Sequence, residues 1–202
     1  MTQVAPVLCL QPSDPQLSAL FSHELWQRLD DLVAQLPFAR QVQGDIADHH
    51  LEVAMIVTNR DRPRVQPGIA GELFSVLASP QLLDFFRACS KTLSRPVQDL
   101  VIRRMQVNRM QRGDHNHYHC DTDDDPDYVL GAILYFTDAA QYEGGEIEFD
   151  GIAEPIKPQR HQVLVFPADL GHRLSPLTAC QKPRLSIVML FGTHDGPNRR
   201  HL

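Results

Sequence analysis

From residue 97 to 193 the chain breaks into short apolar runs separated by turn residues, with no helical stretch between them. The runs are Leu100 to Val107, Val129 to Thr137, Glu146 to Phe149, Gln162 to Phe166 and Leu185 to Phe191. Strands that follow one another without crossover helices cannot be parallel neighbours, because a parallel connection must travel back along the sheet. The pattern therefore predicts an antiparallel sandwich or jelly roll. Gly144-Gly145 supplies the positive-φ freedom of a tight hairpin, and Pro155, Pro158 and Pro167 fit strand ends.

The first half has a different texture. Leu17, Leu20, Phe21, Leu25, Trp26, Leu29, Leu32, Val33 and Leu36 recur at helical spacing, which predicts one helix from about Asp14 to Leu36. Asp14 is placed to cap it, Pro15 to open it and Pro37 to end it. A second helix is expected after Ser79-Pro80 and before Pro96, and a shorter one from Ile69 to Ala78. Leu51 to Thr58 reads as a strand and Asn59 to Gln66 as a loop. The expectation is one domain, 1–202: a helical support region with one or two strands (1–96), a jelly-roll core (97–193) and a tail (194–202). The fold is mainly β with flanking α, the N-terminal helices packed on one outer face.

Composition narrows the function classes. The net charge of −6 argues against duplex binding, which needs a concentrated basic face, so no nucleic-acid partner is expected. The short basic end, Arg199-Arg200-His201, reads as a solvated tail. Cys9, Cys89, Cys120 and Cys180 form no C-x-x-C pair, which fits free thiols in a reducing compartment. Met1 to Leu10 lacks a basic stretch followed by a long apolar run, and no segment reaches transmembrane length. A cytoplasmic location without a membrane partner is the expectation.

Chemistry concentrates in Gly113-Asp114-His115-Asn116-His117-Tyr118-His119-Cys120-Asp121. Imidazole and carboxylate together suit borderline first-row metals, and His172, just after a predicted strand, completes a candidate site. Residues i and i+2 of an extended chain project to one side, so His119 and Asp121 can reach a single ion. Two histidines and one carboxylate on one face of an octahedron leave the other face open for a chelating co-substrate and dioxygen.

Further motifs follow in order: Leu134-Tyr135-Phe136 leading to Gly144-Gly145-Glu146-Ile147-Glu148-Phe149; Pro158 with Val163-Leu164-Val165-Phe166-Pro167; His172-Arg173-Leu174-Ser175-Pro176-Leu177; and Arg184-Leu185-Ser186. With His119-Cys120-Asp121, this set makes Val107 to Phe191 resemble the 2-oxoglutarate and Fe(II) dependent dioxygenase superfamily, in particular its small prolyl-4-hydroxylase-like branch. The resemblance implies a double-stranded β-helix core. It also implies Fe(II) held by His119, Asp121 and His172, with 2-oxoglutarate and O2 as co-substrates and ascorbate as an accessory reductant. Arg184 would anchor the far carboxylate of 2-oxoglutarate, with Lys182 as the competing anchor, and Tyr135 would add a hydrogen bond. The implied reaction hydroxylates an unactivated C–H bond of an amino acid, peptide or small metabolite and releases succinate and CO2. Retention of Asp121 favours hydroxylation over halogenation. Met110 and His161 depart from the family pattern, where an aromatic residue and a glycine are common.

A second reading uses His115, His117, His119 and His172 as a cupin-like or zinc site, against which stands the lack of any glutamate between His115 and Gln141. In the first reading His115 and His117 line the entrance. Asp123, Asp124, Asp125 and Asp127 read as a solvated loop near the mouth, and Cys120 as a packing residue turned away from the metal.

Overall fold

The computed structural model describes residues 6–40, 51–58 and 64–193. The tail beyond 193 and most of the loop expected after Thr58 lie outside the described residues. In chain order the elements are β1 (Leu8–Leu10), α1 (Pro15–Ser18), α2 (His23–Ala34), β2 (Ala39–Arg40), β3 (Glu52–Thr58), β4 (Arg64–Val65), α3 (Ile69–Leu77) and α4 (Pro80–Thr92). They continue with β5 (Leu100–Met110), β6 (Asn116–His119), β7 (Tyr128–Tyr135), β8 (Tyr142–Gly144), β9 (Ile147–Phe149), β10 (Val163–Pro167), β11 (His172–Leu174), β12 (Leu177–Cys180) and β13 (Arg184–Thr193).

The strands form the expected mainly β architecture, and every named pairing is antiparallel. The major sheet runs β1-β10-β7-β13-β5-β3-β2, with β4 beside β3, and faces two smaller sheets, β6-β11-β9 and β12-β8. Strand periodicity divides the side chains of the major sheet between two cores. Leu130, Ala132 and Leu134 of β7, Val163 and Val165 of β10, and Ile187, Met189 and Phe191 of β13 face the helices. The alternate residues Ile133, Tyr135, Leu164 and Phe166 face inward and meet Ile147, Phe149, Leu174 and Leu177 of the smaller sheets. The inner layer carries the site, while the helical layer on the outside gives the sheet its rigid back.

The long N-terminal helix divides in two. Ser22 adopts an extended conformation and its side chain accepts from the Leu25 amide, starting α2 afresh, because a cap satisfies an N–H that would otherwise be orphaned. Leu17 and Phe21 stay buried across the break, so the apolar periodicity continued through a point where the backbone did not. Asp14 stands at the N-cap position of α1, but its carboxylate accepts from the Gln11 amide instead of a helical N–H.

Gly144 and Gly145 both have positive φ, as expected, yet they do not close a hairpin between β8 and β9. β8 pairs with β12 and β9 with β11, so the glycines carry the chain from one small sheet to the other. A Cβ at Gly144 would run into the carbonyl of Pro176. His161, where a glycine was expected, also has positive φ (63°), the region glycine enters most freely. Its ring stacks on Trp26 at 4.4 Å and approaches Asp30 at 3.2 Å, contacts that hold the non-glycine residue there.

Among the described residues no single helix is long and apolar enough to cross a membrane. Phe86 of α4 is fully buried against Phe191 of β13, ring centroids 4.8 Å apart, and joins the helical layer to the central strand. Phe86→Ala is expected to lower unfolding free energy by about 3–5 kcal/mol, as core aromatic truncations do, measured by urea denaturation.

Candidate metal centre

His119 ends β6 and His172 opens β11, and the two residues are direct cross-strand partners. Their rings lie 4.4 Å apart. In each, Nδ1 meets a backbone carbonyl, that of His117 at 2.8 Å and that of Leu170 at 3.0 Å. A carbonyl only accepts, so Nδ1 carries the proton and Nε2 presents its lone pair. Burial, assisted by the neighbouring His172, holds His119 below the usual imidazole pKa, and burial does the same to His172. Both imidazoles are held in the neutral form, with Nε2 available to a cation.

Asp121 arrives by a different local device. After β6 the chain enters a 3-10 turn, Asp121–Asp123, held by Cys120 N–H donating to the Asp123 carboxylate (2.9 Å) and Thr122 N–H donating to the Ala168 carbonyl (3.2 Å). Beyond it, the fully buried Arg103 donates to Asp125 and to the Thr193 carbonyl, each at 3.1 Å, which ties the loop to the end of the major sheet. The turn rotates Asp121 into the cavity, where Gly131 leaves room beneath it. A Cβ at Gly131 would lie 2.7 Å from the Phe166 ring and 3.1 Å from Asp121 Oδ2.

Ligand atoms of His119, Asp121 and His172 all lie within 4.8 Å of one another. Asp121 Oδ2 is buried with no hydrogen-bond partner. Burial pushes this carboxyl up to about 6, with His119 and Arg104 pulling it down. An orphaned buried carboxylate beside two lone-pair-bearing imidazoles is unfavourable by itself and suits a divalent cation. His115 and His117 do not join the group: their Nε2 atoms meet at 3.1 Å, and His115 Nδ1 contacts the Gly113 carbonyl. His117 lines the cavity mouth, in accord with the entrance role, and the four-histidine reading finds no support in this geometry.

The cavity above the triad has a volume of about 300 Å³. Its apolar wall includes Ile133, Ile147, Leu174 and Val188. Arg184, 1% exposed, stands where β13 begins, opposite Met110 of β5. Its guanidinium lies 5.0 Å from the Tyr135 ring centroid and donates to Met110 Sδ at 2.9 Å. Among the described residues no carboxylate forms an ion pair with it, and both Arg184 Nε and the Tyr135 hydroxyl are buried without partners. A buried cation without a carboxylate partner, its Nε unmet, beside a buried hydroxyl also unmet, suits an anionic ligand. Lys182 is exposed and so drops out as the buried anchor.

Two expectations need correction. Cys120 lines the cavity mouth and is not turned away into packing. Asp124, read as solvated loop, pairs with Arg104 at 2.6 Å, and both line the cavity. Sequence reasoning missed the polar row Arg104, Gln106 and Asn108 on the inner face of β5. Its signal was available as polar residues alternating with Met105 and Val107, a period-two pattern.

Residues 105–192 match the sequence profile of the 2OG-Fe(II) oxygenase superfamily. A PKHD-type hydroxylase of Synechococcus sp. (strain CC9311) is 38% identical over 52 residues, a segment that spans 25% of this chain and 24% of that protein. The fold resembles an oxidoreductase of the 2OG-Fe(II) oxygenase family from Burkholderia pseudomallei, with TM-score 0.76 and 22% identity, covering 96% of this chain and 88% of that one. It also resembles a Pseudomonas putida prolyl-4-hydroxylase, with TM-score 0.60 and 14% identity over 94% and 93% of the two chains. The profile match covers less than half of the chain and falls on the strands that carry His119, Asp121, His172 and Arg184, so this region is similar to that superfamily, and the fold is shared with these solved structures.

Proposed function

We propose that this chain is an Fe(II)- and 2-oxoglutarate-dependent dioxygenase that hydroxylates a C–H bond of an amino acid, peptide or small metabolite. The observation that carries the reading is a pair of unmet partners: a carboxylate oxygen, Asp121 Oδ2, beside two histidines in the cavity, and, buried elsewhere in the inner layer, Arg184 Nε with the Tyr135 hydroxyl. One site calls for a cation and the other for an anion, which a metal and a chelating dicarboxylate satisfy together.

His119, Asp121 and His172 hold Fe(II), and the carbonyls of His117 and Leu170 fix which imidazole nitrogens face it. Arg184 and Tyr135 bind the distal carboxylate of 2-oxoglutarate. Burial pushes the Tyr135 hydroxyl up to about 12, so it remains a donor at neutral pH. Ile133, Ile147, Leu174 and Val188 exclude water from the space between. When bound, the iron and 2-oxoglutarate supply the oxidising power by which 2-oxoglutarate, O2 and R–H become succinate, CO2 and R–OH. The four free thiols support a reducing cytoplasmic location.

His172→Ala is expected to abolish both the weak visible band of the anaerobic Fe(II)–2-oxoglutarate complex and aerobic succinate release, weakening metal binding by more than about a hundredfold. Retention of both signals would overturn the site. Arg184→Ala should raise the 2-oxoglutarate requirement roughly a hundredfold, the scale of about 2–5 kcal/mol for one side of a buried charge pair, while iron binding persists. Lys182→Ala should leave that requirement unchanged; the reverse pattern would move the anchor.

The pH dependence follows from Asp121. With its folded pKa raised above the ordinary 3.8 to about 6, the metal-free fold binds the extra proton. The stability this gives is present at low pH and is lost as pH rises through about 6. Metal binding must displace that proton. Fe(II) affinity should therefore fall about tenfold per pH unit below about 6, read by anaerobic titration, and the metal-induced rise in Tm should shrink from pH 7 to pH 5.

A further inference from the structure

The inner face of β5 carries a polar row that neither iron nor 2-oxoglutarate binding uses. Arg104, Gln106 and Asn108 occupy successive inward positions and line the cavity. Arg104 Nε donates to Gln106 Oε1 at 3.1 Å, and Gln106 Nε2 donates to Asn108 Oδ1 at 2.8 Å. Arg104 also donates to Asp124 at 2.6 Å. Among the described residues that line this cavity, Arg104 is the one lysine or arginine. The amide row fixes the guanidinium plane, leaving one terminal nitrogen for a ligand.

Arg104 and Arg184 cannot serve one dicarboxylate. In the register of β5 and β13, Arg184 faces Met110 and Arg104 faces Leu190, so the two positions are separated by six residues, about 20 Å along the strand. Leu190 also pairs with Gly131, the residue beneath the Asp121 carboxylate. Arg104 therefore stands at the level of the metal ligands, and Arg184 toward the far end of β13. The positions separate two anions: one held at Arg184, another presented beside the metal.

We propose that Arg104 and Asp124 together recognise the α-carboxylate and α-ammonium of a free amino acid, whose side chain is then directed at the iron. The inference rests on the dioxygenase reading above and names its substrate class. An α-amino acid bears both charges on adjacent bonds of one carbon, and the Arg104–Asp124 pair offers both complements side by side at the mouth. A residue within a peptide chain has neither charge and would leave the ion pair unanswered. The cavity of about 300 Å³ lies at the lower end of ligand pockets, roughly 300–1,000 Å³, which suits a small molecule beside the co-substrate. Gln106 and Asn108 continue from Arg104 along the floor as a polar track, and Ile133, Val188 and Leu190 form an apolar wall for the substrate's carbon chain.

The test is 2-oxoglutarate-dependent succinate release by the Fe(II)-loaded protein, stimulated by a panel of free amino acids and by their N-acetyl and C-amide derivatives. At least one free amino acid should stimulate release, and either blocking group should weaken the effect about ten- to a hundredfold, the size of a lost charge-assisted bond. Arg104→Gln should raise KM for that amino acid by a similar factor without raising the 2-oxoglutarate requirement, and Arg104→Lys should recover part of it. Asp124→Asn, at the half-exposed partner, should discriminate against the N-acetyl form less than the parent does. Equal stimulation by free and blocked forms, or no stimulation by any free amino acid while the anaerobic Fe(II)–2-oxoglutarate band is present, overturns the substrate assignment alone. Absence of that band in the parent protein overturns the dioxygenase reading.

Discussion

The antiparallel pairing of β6 with β11 is the contact on which the site depends. It places His119 opposite His172, two residues far apart in the chain, and aims both lone pairs into one cavity. A register shift of one residue would turn one imidazole to the other face of its strand, because side chains alternate with period two. The small sheet is short and has little backbone bonding of its own. Its register is backed by Phe149 and Phe166, whose rings lie 5.6 and 5.0 Å from that of His172. Packing against the major sheet thus holds the two histidines at separations that such short strands alone would not keep.

The polar groups of the inner layer divide by how they are satisfied. Gln106 and Asn108 complete one another, Tyr142 donates to the Pro158 carbonyl, and Thr137 bridges the Pro183 carbonyl and the Leu185 amide. Asp121 Oδ2, Tyr135 Oη and Arg184 Nε lack partners in the same layer. An unsatisfied buried polar atom costs about 1–3 kcal/mol, more when charged, so a fold that keeps such atoms gains when ligands meet them. Metal and dicarboxylate binding on this account also stabilises the jelly roll.

The inner face of the major sheet differs along its length. β5 and β13 run side by side for their full lengths, and their inward residues change from Arg184 and Met110 at one end to Arg104 and Leu190 six residues along. Arg184 is sealed inside without a carboxylate, whereas Arg104 meets Asp124 at the mouth. The buried cation has no carboxylate partner among the described residues. The rim pair can open toward a molecule that comes and goes.

Much of this was legible beforehand, for local reasons. The strand runs after residue 97 declared themselves through period-two alternation and turn residues, and the density of histidine and carboxylate around His119 and Asp121 has no packing explanation. Arg184 was legible as the best match through its place after His172, with Lys182 as a competitor. Only the fold shows Arg184 sealed beneath Tyr135 and Lys182 in solvent. The break between α1 and α2 was masked because Leu17 and Phe21 keep the apolar spacing across it, while the cap at Ser22 is a matter of backbone geometry. The Gly144-Gly145 turn was recognisable from residue type, yet which strands it joins depends on pairings made far along the chain. By itself the sequence determined the element types and the inventory of ligands, since propensity, periodicity and donor chemistry are properties of neighbouring residues. The tertiary structure alone decided which side chains share a cavity, which charges are left unanswered and which arginine faces which end, because those follow from strand register between segments that meet only in the folded protein.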